Sequence, residues 1–91
     1  MARLAVNEFE AGYLGQRADE GDLFFDLGMM YATGRSVAVD LVAAHKWFNL
    51  ACLRGKQAAK TYREEIAAEL SKSQLAQALQ SARTFLASNK A

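Results

Sequence analysis

Three glycines set the layout of this chain. Gly21, Gly34 and Gly55 each follow a stretch with helical spacing, at the point where a helix commonly ends on a left-handed residue that glycine adopts without steric cost. The sequence has no proline, so nothing else punctuates it as sharply. Gly21 and Gly55 stand 34 positions apart, a spacing typical of helical-hairpin repeats. The stretches between them are rich in Ala, Leu, Gln, Glu, Lys and Arg and poor in β-branched residues, which favours helix throughout. At 91 residues, 52% hydrophobic and 23% charged, the chain reads as one all-α domain over 1–91.

The pattern predicts about five helices. The first, over 4–19, carries Phe9 and Tyr13 on one face, with Gln16 or Arg17 beside them. Gly12 and Gly15 weaken it by about 1 kcal/mol each relative to alanine, or let a neighbouring helix approach closely. The second begins after Asp22 as N-cap, carries Leu23, Leu27, Met30 and Tyr31 as a core stripe, and ends near Thr33. Residues 35–39 form a loop with Val37 tucked inward. Asp40 caps a third helix over 41–54, whose apolar side is Leu41, Ala44, Phe48, Ala51 and Cys52, widened by Trp47 and Leu50. The fourth, 56–69, buries Ala59, Tyr62, Ile66 and Leu70. Ser71-Lys72-Ser73-Gln74 has the form of a capping box and opens the fifth, 71–87, with Leu75, Ala78, Leu79, Ala82, Phe85 and Leu86 at 3–4 spacing. Connections this short set consecutive helices antiparallel.

Charge and chemistry narrow the function. The net charge is +1, without the basic excess of nucleic-acid binders. Arg54, Lys56, Lys60 and Arg63 make a modest basic strip that Glu64 and Glu65 dilute. His45 is the single histidine and Cys52 the single cysteine. Together they do not supply a zinc ligand set. His45 reads as a half-exposed helix residue. Cys52 reads as a small filler at an alanine position, its rival reading being a thiolate activated by Arg54 and Lys56. The acids Glu8/Glu10, Asp19/Glu20/Asp22 and Glu64/Glu65 fall on helix surfaces and turns, whereas general acid–base work needs a desolvated carboxylate in a cleft. Gly12-Tyr13-Leu14-Gly15 lacks the strand–helix context of a phosphate loop. No catalytic residue, metal or cofactor is expected, and the chain reads as a non-enzyme. Its opening apolar run, Met1–Val6, is too short for a signal peptide, and no stretch approaches the roughly 20 apolar residues of a membrane span. The expected location is the cytoplasm.

Residues 21–55 carry a spaced set: Leu27-Gly28, Tyr31, Gly34, Val37, Asp40, Ala44, Trp47-Phe48, Ala51 and Gly55. With these residues the segment resembles the Sel1-like repeat family, a branch of the tetratricopeptide-like helical repeats. That family's pattern runs through a Leu-Gly pair, a Tyr, a Gly-containing loop with Val, an Asp, an Ala, a Trp-Phe pair, an alanine pair and a closing Gly. Ser36 stands where the loop usually has a second glycine, and Cys52 replaces the second alanine of the pair. The flanks look like worn repeats. Tyr13, Ala18 and Gly21 mirror Trp47, Cys52 and Gly55, making 4–20 and 56–70 degenerate half-repeats and 71–87 a C-terminal capping helix. The resemblance implies a short α-solenoid of antiparallel hairpins, with the prominent aromatics and glycines as its structural positions. A side chain at Gly28 would block the partner helix.

The residues left over are Asp22, Phe25, Met29 and Thr33, on the stripe opposite the expected core set. In related repeats the equivalent face lines a concave groove where peptides or partner helices dock. The resemblance therefore implies a non-catalytic protein–protein interaction module or adaptor, binding a peptide or helix there or self-associating. In the competing arrangement the first or fifth helix folds back and covers these residues. One full repeat with two halves is short, since about three units are usually needed for stability. Either the fifth helix caps the apolar edge, or chains pair into a homodimer or small homo-oligomer. A rival function is a regulatory or inhibitory subunit of the antitoxin or immunity type. Neither nucleic acid nor membrane is an expected partner.

Overall fold

The computed structural model describes residues 19–89. Within them lie four α-helices and no strand: α1 Glu20–Thr33, α2 Leu41–Leu53, α3 Ala58–Glu69 and α4 Lys72–Ser88. The helix expected over 4–19, with Phe9, Gly12, Tyr13 and Gly15, lies outside the described residues but for its last position, Asp19.

Asp19 opens α1. Its Oδ1 accepts the Gly21 N–H at 2.9 Å, so the helix starts earlier than expected and Asp22 is not its cap. Asp22 instead joins Glu20 as an acid in the first turn, where the helix dipole favours negative charge. Gly21 is a buried helical residue rather than a left-handed stop. The two glycines at positive φ are Gly34, at 80°, and Gly55, at 89°. Gly34 closes α1 by donating its N–H to Met30 O at 2.8 Å. Asp40 caps α2 as expected, its Oδ1 accepting the Ala43 N–H at 3.0 Å. The capping box at α4 is complete: Ser71 Oγ accepts the Gln74 N–H at 3.0 Å, and Gln74 Oε1 accepts the Ser71 N–H at 2.9 Å.

Helix α2 is the hub, with α1, α3 and α4 all packed on it. It runs back along α1. At the loop end the Asp40 N–H donates to Tyr31 O at 3.0 Å. At the open end Arg54 Nε meets Glu20 Oε1 at 2.8 Å, and Lys56 Nζ meets Asp22 Oδ1 at 2.7 Å. Exposed pairs of this kind stabilise by at most about 1 kcal/mol each. The phase of α1 differs from the expected stripe. Gly21, Phe24 and Gly28 turn to α2, Leu27 and Tyr31 pack in part, and Leu23 is 47% exposed. Glycine decides this phase, because the absent side chain at 28 lets the Phe48 ring lie against the α1 backbone.

Two adjacent aromatic pairs, Phe24-Phe25 and Trp47-Phe48, diverge into two clusters. Phe24 and Trp47 meet Phe85 of α4, with ring centroids 5.1 to 5.6 Å apart. Phe25 and Phe48 meet Tyr62 of α3 at 5.4 to 5.7 Å. Residues 100° apart on a helix necessarily face different neighbours, so each pair serves two interfaces. The rest of the core follows the expected spacing: Ala44, Leu50, Ala51, Ala59, Ile66, Ala78 and Ala82 are buried.

Candidate interaction face

The spacing of Asp22, Phe25, Met29 and Thr33 places them along one flank of α1, beside the Gly21–Phe24–Gly28 contact with α2. Their surroundings differ. Asp22 is exposed and paired with Lys56. Phe25 is half-buried, edge-on to Tyr62 at 5.6 Å and 5.7 Å from Phe48. Met29 is half-buried against the core. Thr33 is exposed, and its hydroxyl donates back to Met29 O at 2.7 Å. The partial cover over Phe25 comes from α3, which neither expected arrangement invoked.

The structure adds three residues to this flank. Tyr62, expected in the core, is 38% exposed and continues the apolar strip from Phe25 onto α3. Lys56 places its ammonium 5.3 Å from the Phe25 ring centroid, and the hydrogen bond to Asp22 makes it more basic than an ordinary lysine. Asp26 has its carboxyl pushed above the usual range, chiefly by partial burial; Arg35 and Lys56 oppose that rise and Asp22 adds to it. Periodicity along α1 carries no signal for these contacts with α3 and its approach.

His45 departs most from expectation. It is 3% exposed, the one buried polar residue of the described core. Its Nδ1 has no hydrogen-bond partner. Burial lowers its pKa, and the positive charge of Arg63 lowers it further. Arg63 is itself anchored, Nη1 donating to Asn49 Oδ1 at 2.9 Å. The half-exposed position expected for His45 fails because α3 lies over this side of α2, a long-range contact that helix periodicity does not encode.

The remaining groups are dispersed. Cys52 is a half-buried free thiol packed against the core. Three members of the basic strip are engaged, Arg54 with Glu20, Lys56 with Asp22 and Arg63 with Asn49. Glu64 and Glu65 are exposed. Glu8, Glu10 and Gly12-Tyr13-Leu14-Gly15 lie outside the described residues. Among the described residues no group of three or more His, Cys, Asp or Glu could hold a metal ion, and no helix is long and apolar enough to cross a membrane. Comparison with protein-family models, curated proteins and solved structures gives no match to this chain.

Proposed function

We propose that this chain is a Sel1-like helical-repeat module, a short solenoid that works without catalysis in the cytoplasm. It docks a peptide or helix of a partner protein, or a second copy of itself, on the flank shared by α1 and α3. The observation that carries this reading is the half-open strip of Phe25, Met29 and Tyr62, bordered by Asp22 and Thr33. Aromatic and thioether side chains with part of their surface uncovered still have apolar area to lose to a partner, and both types are enriched where proteins meet. Two backbone details support the repeat assignment. Ser36 holds φ at 71°, the left-handed region that explains a glycine at that place in the family pattern. Gly28 meets Phe48 as the Leu-Gly and Trp-Phe pairs of the pattern require. A free cysteine suits a reducing compartment.

Met29→Glu and Tyr62→Glu test the face, with Lys72→Gln on exposed α4 surface as control. Each variant is first shown to be helical by circular dichroism. A partner that binds the wild type and the control should be lost by both face variants. Concentration-dependent self-association, followed by sedimentation, should disappear in the same two. Retention of partners and of self-association in both variants places binding elsewhere and overturns the assignment.

A further inference from the structure

His45 is an unusual residue to seal between two helices. Only 3% of it is exposed, and its Nδ1 is left without a partner. A neutral imidazole tolerates that position because its charge is zero. An imidazolium does not, since a buried charge requires a counter-charge or water. The charged side chain that acts on it is Arg63 of α3, of the same sign; among the described residues no charged group of α1 or α4 does so. Arg63 is tethered on this side of α2 by Asn49, one turn along from His45, whose Oδ1 accepts its Nη1–H at 2.9 Å. The contact between α2 and α3 thus contains one group that gains charge in mild acid, facing a tethered cation, and among the described residues no carboxylate acts on it.

We infer that His45 is an acid-sensitive latch: its protonation releases α3 from α2 and withdraws Tyr62 from its contacts with Phe25 and Phe48. The chain connectivity allows this as a local event. Helix α3 is joined to its neighbours by short turns and packs mainly on α2, whereas α1 and α4 keep their own contacts with α2 through Gly28–Phe48 and the Phe24–Trp47–Phe85 cluster. The direction in pH follows from the equilibrium. A histidine whose folded-state value lies below its ordinary 6.5 stabilises docking fully above that pH. Stability is lost as pH falls through 6.5 towards the folded value. Within that window the opening constant of α3 grows by up to about tenfold per pH unit. The effect on binding rests on the interaction face proposed above; the latch itself does not.

The test is nuclear magnetic resonance on the whole chain, titrated from about pH 7.5 to about pH 5, a range that spans the histidine transition. The His45 ring resonance should titrate with a midpoint below 6.5. Amide protection in Ala58–Glu69, corrected for intrinsic exchange, should fall over the same range while that of Glu20–Leu53 holds. Arg63→Gln should raise the midpoint towards 6.5, which a purely structural role for Arg63 would not do. His45→Phe, or His45→Leu if the larger ring does not fit, should abolish the pH dependence of α3 protection. A His45 midpoint at or above the ordinary value overturns the inference, as does α3 opening unchanged in both histidine variants or simultaneous loss of all four helices. Failure of the Met29 and Tyr62 binding test leaves these readouts untouched, so the two ideas fail separately.

Discussion

Gly28 of α1 lies against the ring of Phe48 in α2 so closely that a Cβ there would stand 2.6 Å from Phe48 Cδ1 and 2.7 Å from Cε1. Phe48 is fully buried, so its ring has nowhere to retreat. Gly28→Ala should therefore destabilise the fold. Overpacking a closed core costs about 1–3 kcal/mol, and the better helix propensity of alanine returns up to about 1 kcal/mol. A lower urea midpoint with an unchanged slope is the expected result; a gain in stability would mean that the helices can separate freely at this crossing.

The two aromatic clusters should behave as separate units in double-mutant cycles. Phe25→Leu and Tyr62→Leu, whose rings meet edge-on, should show a coupling of about 0.5–1.5 kcal/mol. Phe85→Leu and Tyr62→Leu belong to different clusters, and their effects should add to within about 0.5 kcal/mol. Denaturant unfolding of the three single and two double variants measures both.

Phe25 contributes to the fold as well as to the candidate face. Phe25→Ala should cost about 1–3 kcal/mol, the range expected for truncating a large, partly buried side chain. Thr33→Ala, at the exposed end of the same strip, should stay within about 0.5 kcal/mol of the wild type. Comparable thermal shifts for the two would show that α3 does not cover Phe25 as described.

Ser36 sits at φ 71° without being glycine. Ser36→Val places a β-branched side chain in the left-handed region and should lower stability by about 1 kcal/mol or more. Ser36→Gly relieves that strain, while its gain in unfolded-state entropy offsets part of the relief, so it should not lower stability. Melting temperatures of the pair against wild type decide it.

Removing the Ser71 hydroxyl should loosen the start of α4. Ser71→Ala deletes half of the reciprocal bonding with Gln74 and should cost about 1 kcal/mol. Amide exchange in the first turn of α4 should accelerate, with the hairpin of α1 and α2 unaffected.

What the sequence disclosed was mostly local chemistry. Asp40, the Ser71–Gln74 box and the left-handed glycines at 34 and 55 are recognisable because cap and turn requirements lie within a few residues. The start of α1 was misplaced because Asp19 and Asp22 both suit an N-cap, and Gly21 resembles a stop until the 54–56 turn is seen packed over it, with the Lys56 Cβ 3.2 Å from where its own would be. The face of α1 was misjudged because Leu23, Leu27 and Met30 are more hydrophobic than the true contact stripe, two of whose three residues, Gly21 and Gly28, are glycine. Hydropathy does not register close approach. His45 and Tyr62 exchanged their expected burial for a related reason: both depend on how α3 leans across α2, which no single helix encodes. The strip from Asp22 to Thr33 was read as lying opposite the core set of α1, whereas it borders the Gly21–Phe24–Gly28 contact and is shared with α3.

The divergence of Phe24 from Phe25 and of Trp47 from Phe48 also has a mechanical meaning. Two adjacent rings gripped on different sides act like a key in a slot, fixing the azimuth of α1 about its own axis and that of α2 with it. Rolling either helix would wrench both grips at once, so this pair resists torque. Helix α3 contributes a single ring to these clusters, Tyr62, beside its Arg63–Asn49 bond to α2. The hairpin of α1 and α2 is thus keyed against rolling by two sets of rings, and α3 by one.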